Sequence, residues 1–230
     1  MNRLLHCFPV AALAAAFSIP LAAAGDNTTN LFGFAGPEIF PLDQQVSQIR
    51  VADVNGDGLN DLVVANNLRS KINLLINLTG NTNRAESLPK RKLELNELPP
   101  GARFRLDSLP TEERIAALCV ADLNSDRRPD LIYFGDAKDL ILRLNLGTNG
   151  WGEPKRWHLE DGLMSPNGLV TGDLNGDRLD DVVLLGENGT AFFLEQQKNG
   201  SLAEPQKIAC SGTPKAVAIT DVDGDGRNDL

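Results

Sequence analysis

Four copies of one acidic loop constrain this chain more than any other feature. They are Asp53-Val-Asn55-Gly-Asp57-Gly-Leu-Asn-Asp61, Asp122-Leu-Asn124-Ser-Asp126-Arg-Arg-Pro-Asp130, Asp173-Leu-Asn175-Gly-Asp177-Arg-Leu-Asp-Asp181 and Asp221-Val-Asp223-Gly-Asp225-Gly-Arg-Asn-Asp229. The loops span residues 53–61, 122–130, 173–181 and 221–229, with an oxygen-bearing side chain at positions 1, 3, 5 and 9 in every copy. Their first aspartates stand 69, 51 and 48 residues apart, a spacing typical of repeat architectures in which each repeat is one supersecondary unit.

Alternating Asp and Asn in a tight loop is the donor pattern of a hard cation. Calcium takes six to eight oxygens at about 2.3–2.6 Å, and acceptors at alternate positions wrap around one point. The expected ligands are Asp53, Asn55, Asp57 and Asp61; Asp122, Asn124, Asp126 and Asp130; Asp173, Asn175, Asp177 and Asp181; and Asp221, Asp223, Asp225 and Asp229. By analogy with other calcium loops, the backbone carbonyls of Leu59, Arg128, Leu179 and Arg227 supply a further oxygen each. Gly56, Gly176 and Gly224, with Ser125 in the second copy, occupy the first turning position. Gly58 and Gly226 occupy the second, where Arg127 and Arg178 depart from the pattern.

Charge agrees with this reading. Positions 1, 3, 5 and 9 of the loops hold 13 of the 31 acidic residues, and the other 18 acids stand against 22 bases in the whole chain. The formal charge of −9 is thus concentrated where four divalent ions would nearly cancel it. An acidic chain of this kind is not a nucleic-acid binder, and two histidines and one tyrosine leave little for neutral-pH proton transfer.

The flanking residues decide which kind of calcium loop this is. An EF-hand needs a bidentate Glu at the twelfth position between two helices, whereas Val64, Tyr133 and Leu184 stand there. Dockerin modules are likewise helical, and thrombospondin-type acidic repeats are more closely spaced and rich in cysteine. Here each loop follows an alternating apolar segment, such as Ile49 and Val51 or Leu118 and Val120, and precedes a strand-forming run such as 62–64, 131–133 or 182–184. The third repeat reads in full as 169–172, the loop, 182–185, a turn at Asn188-Gly189, 190–195, a turn at Asn199-Gly200, and 202–208. Four antiparallel strands in about 50 residues describe one blade of a β-propeller. Trp151-Gly-Glu-Pro154 and Leu202-Ala-Glu-Pro205, with Phe34-Ala-Gly-Pro37 as a looser match, recur ahead of loops, and their apolar residue is expected to pack between blades.

The motif Asp-x-Asn-Gly-Asp-Gly-x-x-Asp-Leu after a short strand resembles the FG-GAP/VCBS-type calcium-binding repeat of integrin α-subunit propellers and many secreted bacterial proteins. The resemblance runs from about Phe32 to Leu230. It implies an all-β fold of four-stranded propeller blades, calcium held between the first two strands of each blade, and a role in extracellular recognition. Three complete blades and the start of a fourth are expected, so the chain reads as a truncated portion of a parent with about seven blades. Residues 32–42 would then complete the parent's last blade. The long first spacing implies an insertion of about 20 residues around 90–109, an exposed loop carrying Pro99-Pro100-Gly101. The fourth loop is chemically the best of the set, but with only Leu230 beyond it the site is expected to be defective.

Residues 1–24 read as a secretory signal peptide: Arg3 without an acid, an Ala-rich apolar run, and Ala22-Ala23-Ala24 before Gly25. The remainder, 25–230, is one partial propeller, secreted to the extracellular space, periplasm or cell surface, with no membrane span after cleavage. Cys119 and Cys210 then remain, either as buried thiols or as one disulfide. Asn27, Asn77, Asn188 and Asn199 begin glycosylation sequons that matter only in a glycosylating host. Three functions fit such a chain. The favoured one is a calcium-binding module that recognises an extracellular protein or carbohydrate and is not itself an enzyme; the others are part of a polysaccharide-acting enzyme and a purely structural surface segment. His158 with Glu160 and Asp161 is the one conceivable acid–base cluster, and Trp151 and Trp157 could stack on sugars or pack in the core.

Overall fold

In a computed structural model of the chain, residue 40 and residues 42–80 and 102–230 are described. Their strands form three four-stranded antiparallel sheets. The first contains β1 (Val46–Ala52), β2 (Asp61–Asn66), β3 (Lys71–Asn77) and β4 (Phe104–Pro110) in sequence order. The second contains β5 (Ile115–Ala121), β6 (Asp130–Gly135), β7 (Asp139–Arg143) and β8 (Lys155–His158). The third contains β9 (Leu169–Gly172), β10 (Asp181–Gly186), β11 (Thr190–Leu194) and β12 (Gln206–Ala209). Each sheet is a simple meander, the expected blade of a propeller, and the only helix among the described residues is a short 3₁₀ turn at Gly147–Asn149. No helix among the described residues is long and apolar enough to cross a membrane.

The second strand of each blade is a continuous apolar run, and every residue of β6 and β10 is buried. Blades pack face to face, so both faces of a middle strand lose water and period-two alternation disappears. One apolar cluster joins the first two blades through Val63, Ile72 and Leu74 on one side and Leu118, Leu131 and Ile141 on the other. A second joins the next pair through Ile132, Phe134, Leu140 and Trp157 against Val182, Leu184 and Leu194. Trp151 packs on the first cluster and Leu202 is buried in the second, so each places its apolar side chain against the preceding blade. The innermost strands β1, β5 and β9 lie side by side. The first two are tied by Gln48, whose Nε2 donates to Ala116 O at 2.5 Å and whose Oε1 accepts from Leu118 N at 3.1 Å.

The Asn188-Gly189 turn has φ of 58° and 72°, the pair of left-handed residues that a two-residue hairpin requires. Gly200 (φ 78°) serves a second purpose, since a Cβ there would lie 2.6 Å from Asn124 O in the neighbouring blade's loop. The last strand of the third blade begins later than its apolar pattern suggests, at Gln206; Leu202 pairs only through an isolated bridge with Gln196.

The insertion expected around 90–109 does not reach residue 109: it lies between β3, which ends at Asn77, and β4, which begins at Phe104. Residues 104–110 form β4, paired with β3 from Lys71↔Pro110 to Asn77↔Phe104, so this stretch is the outer strand of the first blade and not a loop. Its mixed polarity follows from its edge position, where one side faces water. Residues 90–101 lie outside the described residues, as do residues 1–24 and most of 32–42. Phe40 and Leu42 belong to no strand, and the Phe40 ring meets Phe104 edge-on at 5.2 Å. Cys119 is buried, Cys210 half-buried, and both are free thiols.

Candidate metal centre

Each acidic loop connects the first two strands of its blade, between β1 and β2, β5 and β6, and β9 and β10. The fourth loop lies between Thr220 and Asp229, which form an antiparallel bridge with backbone bonds of 3.2 and 2.8 Å. The loop thus closes on a single bridge, although only Leu230 follows it. One bridge suffices because the loop's own side chains organise the turn.

Those side chains act alike in each copy, except that in the second loop Asp122 accepts from Asn124 N (3.3 Å) in place of the fourth-position amide. In the first loop Asp53 accepts from the amides of Gly56 (2.8 Å), Asp57 (3.1 Å) and Gly58 (2.8 Å), while Asn55 Oδ1 accepts from Asp57 N (3.0 Å) and Asp57 Oδ1 from Leu59 N (2.8 Å). In the second, Asp122 accepts from the amides of Asp126 (3.1 Å) and Arg127 (2.7 Å). In the third, Asp173 accepts from Gly176 (2.7 Å), Asp177 (3.1 Å) and Arg178 (2.9 Å), and in the fourth Asp221 accepts from Gly224 (2.7 Å), Asp225 (3.2 Å) and Gly226 (2.9 Å). Such bonds need left-handed backbone, and Arg127 (φ 66°) and Arg178 (φ 69°) adopt the conformation that Gly58 and Gly226 take (both 85°). The arginines change the cost of the loop, not its shape.

The first three ligand positions converge. Asp221, Asp223 and Asp225 bring carboxylate oxygens within 4.8 Å of one another, and among the described residues no other three His, Cys, Asp or Glu side chains do so. Three carboxylates this close repel unless a cation joins them. An all-oxygen donor set suits a hard cation such as calcium, magnesium or manganese better than zinc or copper, which draw on imidazole or thiolate.

The ninth-position aspartates occupy a different environment. Asp61, Asp130 and Asp181 are fully buried. Asp61 accepts from Val54 N (3.0 Å) and Asn77 N (2.6 Å), Asp130 from Leu123 N (3.0 Å) and Asn145 N (2.7 Å), and Asp181 from Leu174 N (3.2 Å) and Gln196 N (2.9 Å). Each carboxylate thus staples its loop to the end of its blade's third strand. Burial pushes Asp130 up to about 6, against the lowering effect of its two amide partners, and moves Asp61 and Asp181 in the same direction for the same reason. An ionised carboxylate has about four acceptor sites, so stapling leaves lone pairs for a metal.

The amide side chains that follow those staples were not singled out from the sequence. Asn145 Nδ2 donates to Val54 O (2.8 Å) in the first loop, and Gln196 Nε2 donates to Ser125 Oγ (3.0 Å) in the second. The second and third blades thereby grip the preceding blade's loop, whereas Asn77 Nδ2 donates to Asn60 O of its own loop (3.0 Å). The legible signal was an amide residue, Asn77, Asn145 or Gln196, recurring 16, 15 and 15 residues after Asp61, Asp130 and Asp181.

Away from the loops, His158 Nδ1 lies 2.8 Å from Asp139 and Nε2 lies 3.3 Å from Glu160, which raises its affinity for a proton; Asp161 instead pairs with Lys207. The imidazole is well exposed. A cleft of about 650 Å³ opens between the first two blades, lined by Val54, Arg105, Asp107, Asn145, Leu146 and Trp151 among others.

Comparison with known proteins places these features. The FG-GAP-like repeat matches residues 122–184 and 173–230, and the FG-GAP repeat matches residues 46–82. Protein FAM234B of Gallus gallus is 27% identical over 214 residues, covering 89% of this chain and 32% of that protein. Among solved structures, BBS1N in complex with ARL6DN is similar with a TM-score of 0.48 and 16% identity, over 75% of this chain and 46% of that one. An Agrocybe aegerita lectin specific for non-reducing terminal N-acetylglucosamine has a TM-score of 0.42 and 16% identity, over 70% of this chain and 38% of that one. The chain spans about a third of the length of the chicken relative.

Proposed function

This chain carries FG-GAP repeats, and from that premise we propose that it is a calcium-stabilised β-propeller module that acts outside the cell by recognising a protein or carbohydrate partner. The convergence of Asp221, Asp223 and Asp225 within 4.8 Å carries the calcium part of the reading, because the same loop geometry recurs at Asp53, Asp122 and Asp173. The extracellular part is supported by residues 1–24, whose charge and apolar pattern suit secretion. Recognition is supported by the cleft between the first two blades, which offers an indole, an ion pair and amides beside aliphatic side chains.

Calcium binds in this reading with a dissociation constant of about 10⁻⁴–10⁻³ M, suited to extracellular calcium, and magnesium substitutes poorly because the loops are flexible multi-oxygen cages. Isothermal titration with both ions tests it; equal affinities, or no heat with either, would rule it out. A glycan array and an extracellular-protein array, each probed with and without calcium, then identify the partner class.

A further inference from the structure

The loops differ at the second oxygen of the central aspartate. The Oδ1 of the central aspartate accepts the amide two residues on in each copy, leaving Oδ2 as the oxygen available to a cation. In the second loop that oxygen is already engaged: Asp126 Oδ2 lies 2.5 Å from Arg128 Nη2 and 2.9 Å from Asn124 Nδ2. In the first loop Asp57 Oδ2 accepts only the Asn55 amide (2.9 Å), a neutral group free to rotate away. Leu59 and Leu179 hold Arg128's position in the first and third loops and bring no charge. Arg227 holds it in the fourth, yet makes no ion pair with Asp225.

Arg128 is anchored where the others are not. Its Nε donates to Asn145 O at 2.8 Å, and Asn145 is itself buried, with its amide on Asp130 and its side chain on Val54 O of the preceding blade. A guanidinium stays charged at any pH the fold survives, and its planar fork loses little freedom once one nitrogen is fixed. A calcium ion entering this loop would have to displace that charge-assisted bond and then sit beside the displaced cation.

We propose that Arg128 is the resident cation of the second loop, so that this repeat holds its acidic turn together without calcium while the sister loops depend on it. The inference rests on the calcium reading of those loops. It makes the middle blade the metal-independent part of the molecule.

Calcium stoichiometry of the chain, measured by equilibrium dialysis, tests the assignment with Arg128→Leu, which installs the residue found in the first and third loops. One additional ion is expected for Arg128→Leu, none for Arg128→Lys, and no loss for Asp126→Asn in the native background. If Arg128→Leu gains no ion, or Asp126→Asn loses one, the proposal is overturned. Asp57→Ala and Asp177→Ala in the same assay separate the two readings: if each loses an ion, only the Arg128 assignment has failed, and if neither does, the calcium reading falls with it. Melting gives a second readout. Arg128→Leu should melt below the native chain in EDTA and recover in calcium, whereas a deficit that calcium does not repair would mark Arg128 as a packing residue and overturn the proposal.

Discussion

Within one loop, two aspartates of similar sequence context do different work, and mutation separates them. Asp57 is exposed and its Oδ2 is held only by the Asn55 side-chain amide, so Asp57→Ala should remove one ion and cost about 1–2 kcal/mol only when calcium is some ten- to thirtyfold above its dissociation constant. Asp61→Ala orphans the amides of Val54 and Asn77 in a buried setting. It should cost about 2–4 kcal/mol with or without calcium, as chemical denaturation in EDTA would show. A carboxylate away from the loops adds its own response to pH. Glu113 is buried, keeps one hydrogen bond from Ala137 N (2.9 Å) and leaves Oε1 without a partner. Burial pushes it up to about 7, and Asp139 and Asp136 add to the effect. The folded state therefore holds a proton that the unfolded chain releases near the ordinary value of 4.5, and stability from this group falls as pH rises from there to about 7. The slope is at most about 1.4 kcal/mol per pH unit. Denaturation of Glu113→Gln across this range should show a flatter profile, with the native chain losing most relative to it above pH 7.

Blades are joined by side chains that recur once per repeat. Leu202 lies 3% exposed in the cluster shared by the second and third blades, although it precedes its own blade's outer strand. Leu202→Ala should cost about 2–5 kcal/mol, the range for a buried leucine whose site cannot collapse. A change below about 0.5 kcal/mol in urea denaturation would show that it does not bridge the blades. Gly200 belongs to the same contact, because its turn passes so close to Asn124 O that a side chain would collide with the backbone.

Across the described part of the molecule, the middle blade alone has a complete four-stranded blade on each face. Repeat proteins derive their stability from each unit plus its interfaces, so protection should peak in β6, buried at every residue, and fall toward β12, exposed at every residue. Hydrogen exchange followed by mass spectrometry should find the slowest amides in Asp130–Gly135 and early exchange in Gln206–Ala209; uniform protection across the blades would contradict this order. The first blade also leaves Ile49 and Val51 more than half exposed on β1, the face a neighbouring blade covers elsewhere.

Loop, blade and repeat were legible in the sequence because they are local. Alternating oxygens at Asp53, Asn55 and Asp57 dictate a turn through bonds spanning five residues at most, and Asn188-Gly189 dictates a hairpin through its own backbone preferences. The apolar runs at 62–64, 131–133 and 182–184 marked strands buried on both faces. What tertiary structure decided was where each polar group found its partner. Nothing local says that Asp61 would turn inward to staple its loop, that Asn145 would reach 91 residues back to Val54, or that residues 104–110 would leave an apparent insertion to become an edge strand. Arg128 and Arg227 occupy the same place in the repeat, and only the fold, by setting the Asn145 carbonyl beside one of them, made that arginine a cation for its own loop. A hydrogen bond is chosen by distance in space, and the sequence encodes that distance only through the packing of the whole.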